Sequence, residues 1–278
     1  MIPRAFLTEW QAKVPWPELY QVEQDLILSR LMIEIAQDEL LKSELVMRGG
    51  TCLHKLHLAE PRRYSEDLDY VRRTHGPIKA YIDELREIAD RVGLSVKSYA
   101  PAEAMFHLVL VAEPTVLPGV IRIKVETNIA ETEYYTDTIT IHHKVDSRWW
   151  QGEELIPTFA LDEMMATKTR ALYQRRKGRD LFDLWLVLTT EEVHDEEVVA
   201  GLRHYMQDDV FTYPQLRQNL VDKLEDAGFR TDMDALVTAM PDDYDVDAAA
   251  DVVMERLASL LGNAPTLDEI RDGQWREQ

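Results

Sequence analysis

The chain has 278 residues, is 45% hydrophobic, contains one cysteine and carries a formal net charge of −20. That length allows one large domain or two ordinary ones, and the apolar content is that of a soluble globular protein. Cys52 alone excludes a disulfide framework and a cysteine-rich zinc site. No apolar run is long enough for a bilayer, and Met1-Ile2-Pro3-Arg4 leads into polar sequence with no secretory signal. A cytoplasmic protein with no membrane partner is therefore expected. The acid is concentrated late: residues 191–278 hold 7 Lys and Arg against 22 Asp and Glu. This region reads as a solvated surface or as a docking face for a basic partner, and it disfavours nonspecific nucleic-acid binding.

In chain order, apolar residues at helical spacing from Leu19 to Leu40 predict a helix over 18–43, and Leu45-Val46-Met47 a short strand ending at Gly49-Gly50. Thr51 is placed to cap a short helix over 52–58. A loop from Pro61 leads to a strand over 68–71. Pro77 opens a helix that Gly93 stops, and strands follow over 94–99 and 106–112. Residues 120–130 show the clearest alternation: Ile121, Ile123, Val125, Thr127 and Ile129 on one face, Arg122, Lys124, Glu126 and Asn128 on the other. Residues 138–142 form a further strand. Beyond Pro157 the pattern turns helical, over 161–173 and 179–188, and then through helices separated by Pro214, Gly228, Pro241 and Gly262. The fold class is α+β: a mixed sheet with flanking helices over residues 1–155, then a helical domain over 156–278.

The chemistry gathers between Arg48 and Tyr70. Glycines at a strand-to-helix turn let the backbone approach an anion, and free N–H groups at the helix start point at it. Gly49, Gly50 and Thr51 are thus candidates to hold nucleotide phosphates. Asp67 and Asp69 project to one face of a strand, where two carboxylates repel unless a cation lies between them. Magnesium bound by one or two carboxylates plus substrate phosphates answers that need. Glu126, beside Lys124 on a polar strand face, is the candidate third carboxylate, or else part of an exposed cross-strand pair.

These residues resemble the motifs of the AbiEii-type nucleotidyltransferase-like toxins of type IV toxin–antitoxin systems, a family that includes MenT-like proteins. Gly50-Thr51 and Asp67-Leu68-Asp69 match its first motif. Lys124-Val125-Glu126-Thr127 matches a Lys-x-Asp-Ile motif, with Glu for Asp and Thr for Ile. Leu161, Lys168 and the run Lys177-Gly178-Arg179-Asp180-Leu181-Phe182-Asp183 match the later ones, so the likeness spans about Arg48 to Trp185. It implies a nucleotidyltransferase fold and Mg²⁺- or Mn²⁺-dependent transfer of a nucleoside monophosphate from an NTP to RNA, the tRNA 3′ end above all, blocking translation. It also implies an AbiEi-like antitoxin partner and a role in abortive infection. Lys168 would neutralise the triphosphate, and Lys124, Lys177 and Arg179 would receive phosphates or an RNA backbone. Asp180 would orient Lys168 or Arg179, or act as general base. Ser65 would be a phosphorylation target, or simply a loop serine bonded to its own backbone.

Two rival functions stay open: transfer to a protein or small molecule by the same site, and a binding module that keeps the fold without catalysis. Among other residues, Cys52 is expected to be buried, and His54 and His57 to have surface or capping roles rather than to form a metal pair. Trp149-Trp150 either stack a base or pack at the domain junction.

Overall fold

The structure is a computed structural model describing residues 2–101, 104–116, 118–206 and 212–262. The chain divides into two compact units: residues up to Ala160 together with Leu236–Ala239, and Leu161–Ala235 together with the residues from Met240 on.

The first unit begins with α1 (Arg4–Gln11), α2 (Leu19–Gln37) and α3 (Glu39–Glu44). The helix expected over 18–43 is thus two helices. Asp38 is extended, and its side chain accepts the N–H of Leu41, which starts α3 on a side-chain cap. Fourteen of the nineteen residues of α2 are buried, so this helix lies inside the unit rather than on its surface. Strand β1 (Leu45–Arg48) runs into α4 (Gly49–Cys52), which continues as a π-helical turn over Leu53–His57. Thr51 therefore lies within the helix and does not cap it. Then come β2 (Asp67–Arg72), α5 (Lys79–Val92), β3 (Ser95–Pro101), β4 (Met105–Ala112), β5 (Ile121–Asn128), β6 (Ile139–Asp146) and β7 (Gln151–Thr158). Gly93 ends α5 in the left-handed conformation, φ +85°, as its place after Val92 predicts. Helix α1 and strand β7 were not expected. Gln151–Glu154 is too polar to announce a strand, and β7 exists because β6 pairs with it.

The seven strands form one mixed sheet in the order β3-β4-β5-β2-β1-β7-β6. The pairs β1–β2, β3–β4, β4–β5 and β6–β7 are antiparallel, whereas β2–β5 and β1–β7 are parallel. Ile121, Ile123, Val125 and Thr127 of β5 are all buried, as their alternation predicts.

Asp25 anchors the N-terminal segment to the core. Only 1% exposed, it accepts the indole N–H of Trp10 at 3.0 Å and of Trp16 at 2.9 Å, and pairs with Lys55 Nζ at 2.6 Å. Lys55 belongs to the π-helical turn, so this one carboxylate ties α1, α2 and the helix behind Gly49 together. The guanidinium of Arg30 lies 5.0 and 5.3 Å from the ring centroids of Trp149 and Trp150, both of which are half-buried.

The second unit is helical: α6 (Leu161–Gln174), α7 (Gly178–Thr190), α8 (Asp195–Tyr205), α9 (Tyr213–Leu224), α10 (Ala227–Arg230) and α11 (Val246–Arg256), with a 3₁₀ turn over Ala258–Leu261. Pro214 and Gly228 do not separate helices as expected. Pro214 stands in the first turn of α9, where no N–H is needed, and Gly228 lies within α10. Gly178 starts α7 because the Phe229 carbonyl approaches it where a Cβ would sit. Lys223, 3% exposed, donates to the carbonyls of Leu172 and Tyr173 and so closes the C-terminal end of α6. Among the described residues, no helix is long and apolar enough to cross a membrane.

Asp25→Ala leaves Lys55 and two indole donors without their acceptor. It is expected to destabilise the protein by about 3 kcal/mol, read from chemical denaturation, with Asp25→Asn milder.

Candidate active site

Strand register builds the site. Residues directly opposite on paired strands present their side chains to the same face. Arg48 of β1 is opposite Asp69 of β2, Asp69 is opposite Glu126 of β5, and Glu126 is opposite His107 of β4. One row across four strands therefore reads Arg48, Asp69, Glu126, His107. Two residues along β2, Asp67 is opposite Lys124. The three carboxylates expected from the sequence do share one face.

Their charges interact. The carboxyl of Asp67 is pushed up to about 6 from 3.8, first by burial and then by Asp69, Glu66 and Glu126, with Lys124 opposing. Glu126 Oε1 lies 2.8 Å from Lys124 Nζ and 2.7 Å from His107 Nδ1. Arg48 pairs with Glu131 at 2.9 Å, in the segment after β5. That segment is turned by Asn128, whose side chain accepts the N–H groups of Ala130 and Glu131.

The glycine turn is shaped by the acids. Gly49 has φ +84°, and a Cβ on it would collide with the carboxylate of Asp69. A Cβ on Gly50 would collide with the Arg63 guanidinium and come within 3.0 Å of Ser65 Oγ. Backbone thus passes against Asp69 on one side and Arg63 on the other, which only glycine permits. Thr51 was expected to face phosphate. Instead it is 1% exposed, and its hydroxyl lies 2.5 Å from the Asp67 carbonyl and 2.9 Å from Ser65 Oγ. Its contribution is to fix the backbone on which Asp67 stands, and Ser65 bonds to it rather than to its own backbone. His54 is buried and not at the surface; Nδ1 accepts the N–H of Arg62, pinning the loop before Asp67. His57 faces Thr158 at 3.5 Å, and burial lowers its ring to about 4. Cys52 is fully buried, as expected.

Arg63 and His107 were not singled out by sequence reasoning. His107 carried a signal: it is the polar residue among Met105, Val109 and Val111 on its face of β4. Arg63 carried none, being one of several charged residues in a loop.

In the helical unit, Lys168 of α6 is 5% exposed, with Nζ 2.6 Å from Asp183 and 3.7 Å from Asp180. Both aspartates are fully buried on α7, and Arg175 grips Asp180 with two bonds of 2.7 and 2.8 Å. Two cations and two anions form one compensated cluster, in which Lys168 faces carboxylates and Asp180 has both oxygens engaged. The neighbouring cations are looser: Arg176 lies 3.5 Å from Asp226, while Lys177 and Arg179 each lie 3.9 Å from Asp232.

Among the described residues no three His, Cys, Asp or Glu side chains form a finished metal cage. The donor set on β2 and β5 nonetheless suits a hard cation that takes one or two carboxylates and fills its remaining positions with phosphate oxygen and water.

The family model described as nucleotidyl transferase AbiEii toxin, type IV toxin–antitoxin system, matches residues 30–252. The chain belongs to this family. No curated protein matches it by sequence. Among solved structures it is similar to MenT4, a nucleotidyltransferase toxin from Mycobacterium tuberculosis H37Rv, with TM-score 0.67 and 20% identity over 98% of this chain and 93% of that one. JHP933 from Helicobacter pylori gives TM-score 0.53 and 14% identity over 91% and 96%. At these identities the likeness establishes the fold, and the family match establishes a nucleotidyltransferase toxin. The match includes the β2 aspartates, the β5 glutamate and the α6–α7 cluster.

Folded Asp67 holds its proton more tightly than the unfolded chain does. The stability contributed by its protonated form is complete below about pH 4 and lost as pH rises through 6. In metal-free protein, Asp67→Asn is expected to raise the melting temperature by about 2–4 °C at pH 7.5 and by less at pH 5. Equal shifts at both pH values would show that charge repulsion is not the cause. Lys168→Met is expected to lower the unfolding free energy by about 3 kcal/mol, because it removes one of the two cations facing a pair of buried aspartates. An unchanged urea midpoint would place its ammonium in solvent instead.

Proposed function

We propose that the protein transfers a nucleoside monophosphate from an NTP to an RNA acceptor, the tRNA 3′ end, in a reaction that depends on Mg²⁺ or Mn²⁺. The observation that carries this reading is the cross-strand row. Register holds Asp67, Asp69 and Glu126 on one face at the mouth of a glycine turn, with the Asp67 carboxyl raised by burial and then by its acidic neighbours. Asp67 and Asp69 hold the cation and Glu126 completes the set. When bound, the cation supplies charge neutralisation at the reacting phosphate. Gly49 and Gly50 let the nucleotide's phosphates approach the start of α4. Thr51 and Ser65 hold the Asp67 backbone in place. Lys124 lies on the same face and balances the negative charge that the triphosphate brings. Lys168 and Asp180 act by fixing α6 on α7, which steadies Arg176 and Lys177 in the connection between them and Arg179 at the start of α7.

Those three cations are the RNA-contacting residues of this reading. Exposed pairs at 3.5–3.9 Å are worth little and exchange readily for phosphate oxygens. Blocking the tRNA acceptor end stops translation, which gives the toxin its effect in the cytoplasm. An AbiEi-like antitoxin is the proposed partner, and abortive infection the proposed role. Ser65, half-buried beside Gly50, is a candidate phosphorylation site whose modification fills the space at the glycine turn.

One observation favours the rival acceptor, a protein or small molecule. The cations of the helical unit face acidic partners, and the chain as a whole carries −20. Incubation with each labelled NTP, Mg²⁺, total tRNA and cell protein separates the two. Label in RNA that disappears with Asp69→Ala and with EDTA is the expected result. Label in protein alone moves the acceptor, and absence of transfer where NTP binding is demonstrated removes the enzymatic reading. The double substitution Arg176→Glu and Lys177→Glu is expected to cut RNA labelling about tenfold or more at 150 mM salt, with the KM for NTP unchanged.

A further inference from the structure

We infer that His107 is a positioning residue that sets how far Glu126 reaches into the cation site. The inference rests on reading Asp67, Asp69 and Glu126 as the carboxylates of that site. His107 stands directly opposite Glu126 in the β4–β5 register, at the end of the row that begins with Arg48. Its Nδ1 is 2.7 Å from Glu126 Oε1, close enough for an ion pair. The same nitrogen is sealed from solvent and out of line for a hydrogen bond. A buried donor in that state is costly, and a small rotation of the Glu126 carboxylate satisfies it.

The need for such a residue follows from the side chain itself. Glu126 carries its carboxylate one methylene further from the backbone than Asp67 and Asp69 do, with one more rotatable bond. A longer carboxylate reaches the same cation only if something fixes its rotamer. Lys124, 2.8 Å away on the same strand, holds it while the cation is absent. A divalent cation held by Asp67 and Asp69 would repel that ammonium. The imidazole N–H of His107, on the neighbouring strand, would keep one oxygen of Glu126 while leaving the other free for the ion. Metal-binding carboxylates are characteristically hydrogen-bonded in this way, and loss of such a partner typically lowers metal affinity 10–100-fold. The rest of this face of β4 (Met105, Val109, Val111) is apolar, so packing alone does not call for a histidine here.

The test uses the full chain and Mn²⁺ alone, with bound ion measured by loss of the free-ion paramagnetic resonance signal. Binding that persists in Asp69→Asn is subtracted as background from the acidic surface. His107→Leu keeps the bulk without the donor and is expected to raise the Mn²⁺ dissociation constant about tenfold or more. His107→Asn, whose amide N–H occupies the place of Nδ1, is expected to stay within about threefold of the native value. If His107→Leu lowers the melting temperature but leaves Mn²⁺ affinity unchanged, His107 only fills space and the inference fails while the cation site stands. If Asp69→Asn binds Mn²⁺ as the native chain does, the cation site itself is wrong and the role of His107 goes with it.

Discussion

Three carboxylates on one face of a sheet repel one another, and much of the first unit serves to keep them there. Register does the placing: β2 lies between β1 and β5, so Asp69 meets Glu126 on one side and Arg48 on the other. Sheets avoid like charges directly opposite one another because the pair destabilises the ladder. Here the ladder tolerates them because the other face of the strands is buried and the ends of the row carry Arg48 and His107. The loop into β2 is held by Thr51, by His54 and by Arg63 against Gly50. Strain of this kind is retained where function needs it and offset by the packing around it.

The helical unit treats charge in the opposite way. Lys168, Arg175, Asp180 and Asp183 bring two positive and two negative groups together, and both aspartates are sealed from water. A buried ion pair contributes little net stability over an apolar alternative, yet removing one partner is expensive. Its value is geometric, since only one approach of α6 to α7 satisfies all four groups. Lys223 adds a second such constraint by closing the end of α6 on its carbonyls. Burial lowers this ammonium to about 8, so it is less firmly charged than an ordinary lysine.

The legible parts of the sequence were those set by local pattern. The alternation of Ile121, Ile123 and Val125 against Lys124 and Glu126 announced β5 and the face it would present. Asp67-Leu68-Asp69 announced a pair of acids on one side of a strand, and Gly93 announced the end of α5. Register between strands far apart in sequence was not legible, because it depends on which edges meet; the pairing of His107 with Glu126 therefore went unseen. The break at Asp38 was hidden by uninterrupted apolar spacing across it. The motif run ending at Asp183 marked residues that the fold gathers, with Lys168, into one buried charge cluster. It did not show that Lys168 and Asp180 face each other's charges, because nothing in a linear motif states the depth of a side chain. Strand β7 was missed for a related reason: its first half is polar, and its existence depends on β6.

Depth also decides how an acidic protein handles a polyanion under the proposed reading. A chain of net charge −20 repels RNA at long range, but at physiological salt that repulsion is screened beyond about 8 Å. Contact is then governed by the few cations that can exchange partners locally. Arg175 cannot, since it is fixed by two short bonds to a buried acid. Arg176, Lys177 and Arg179 can, since their pairs are long and their cationic ends reach solvent. Three exchangeable cations around the start of α7 neutralise a few phosphates and no more. Such a surface suits the end of a strand, where a terminal hydroxyl is the reacting group, better than the side of a duplex with its continuous array of charge.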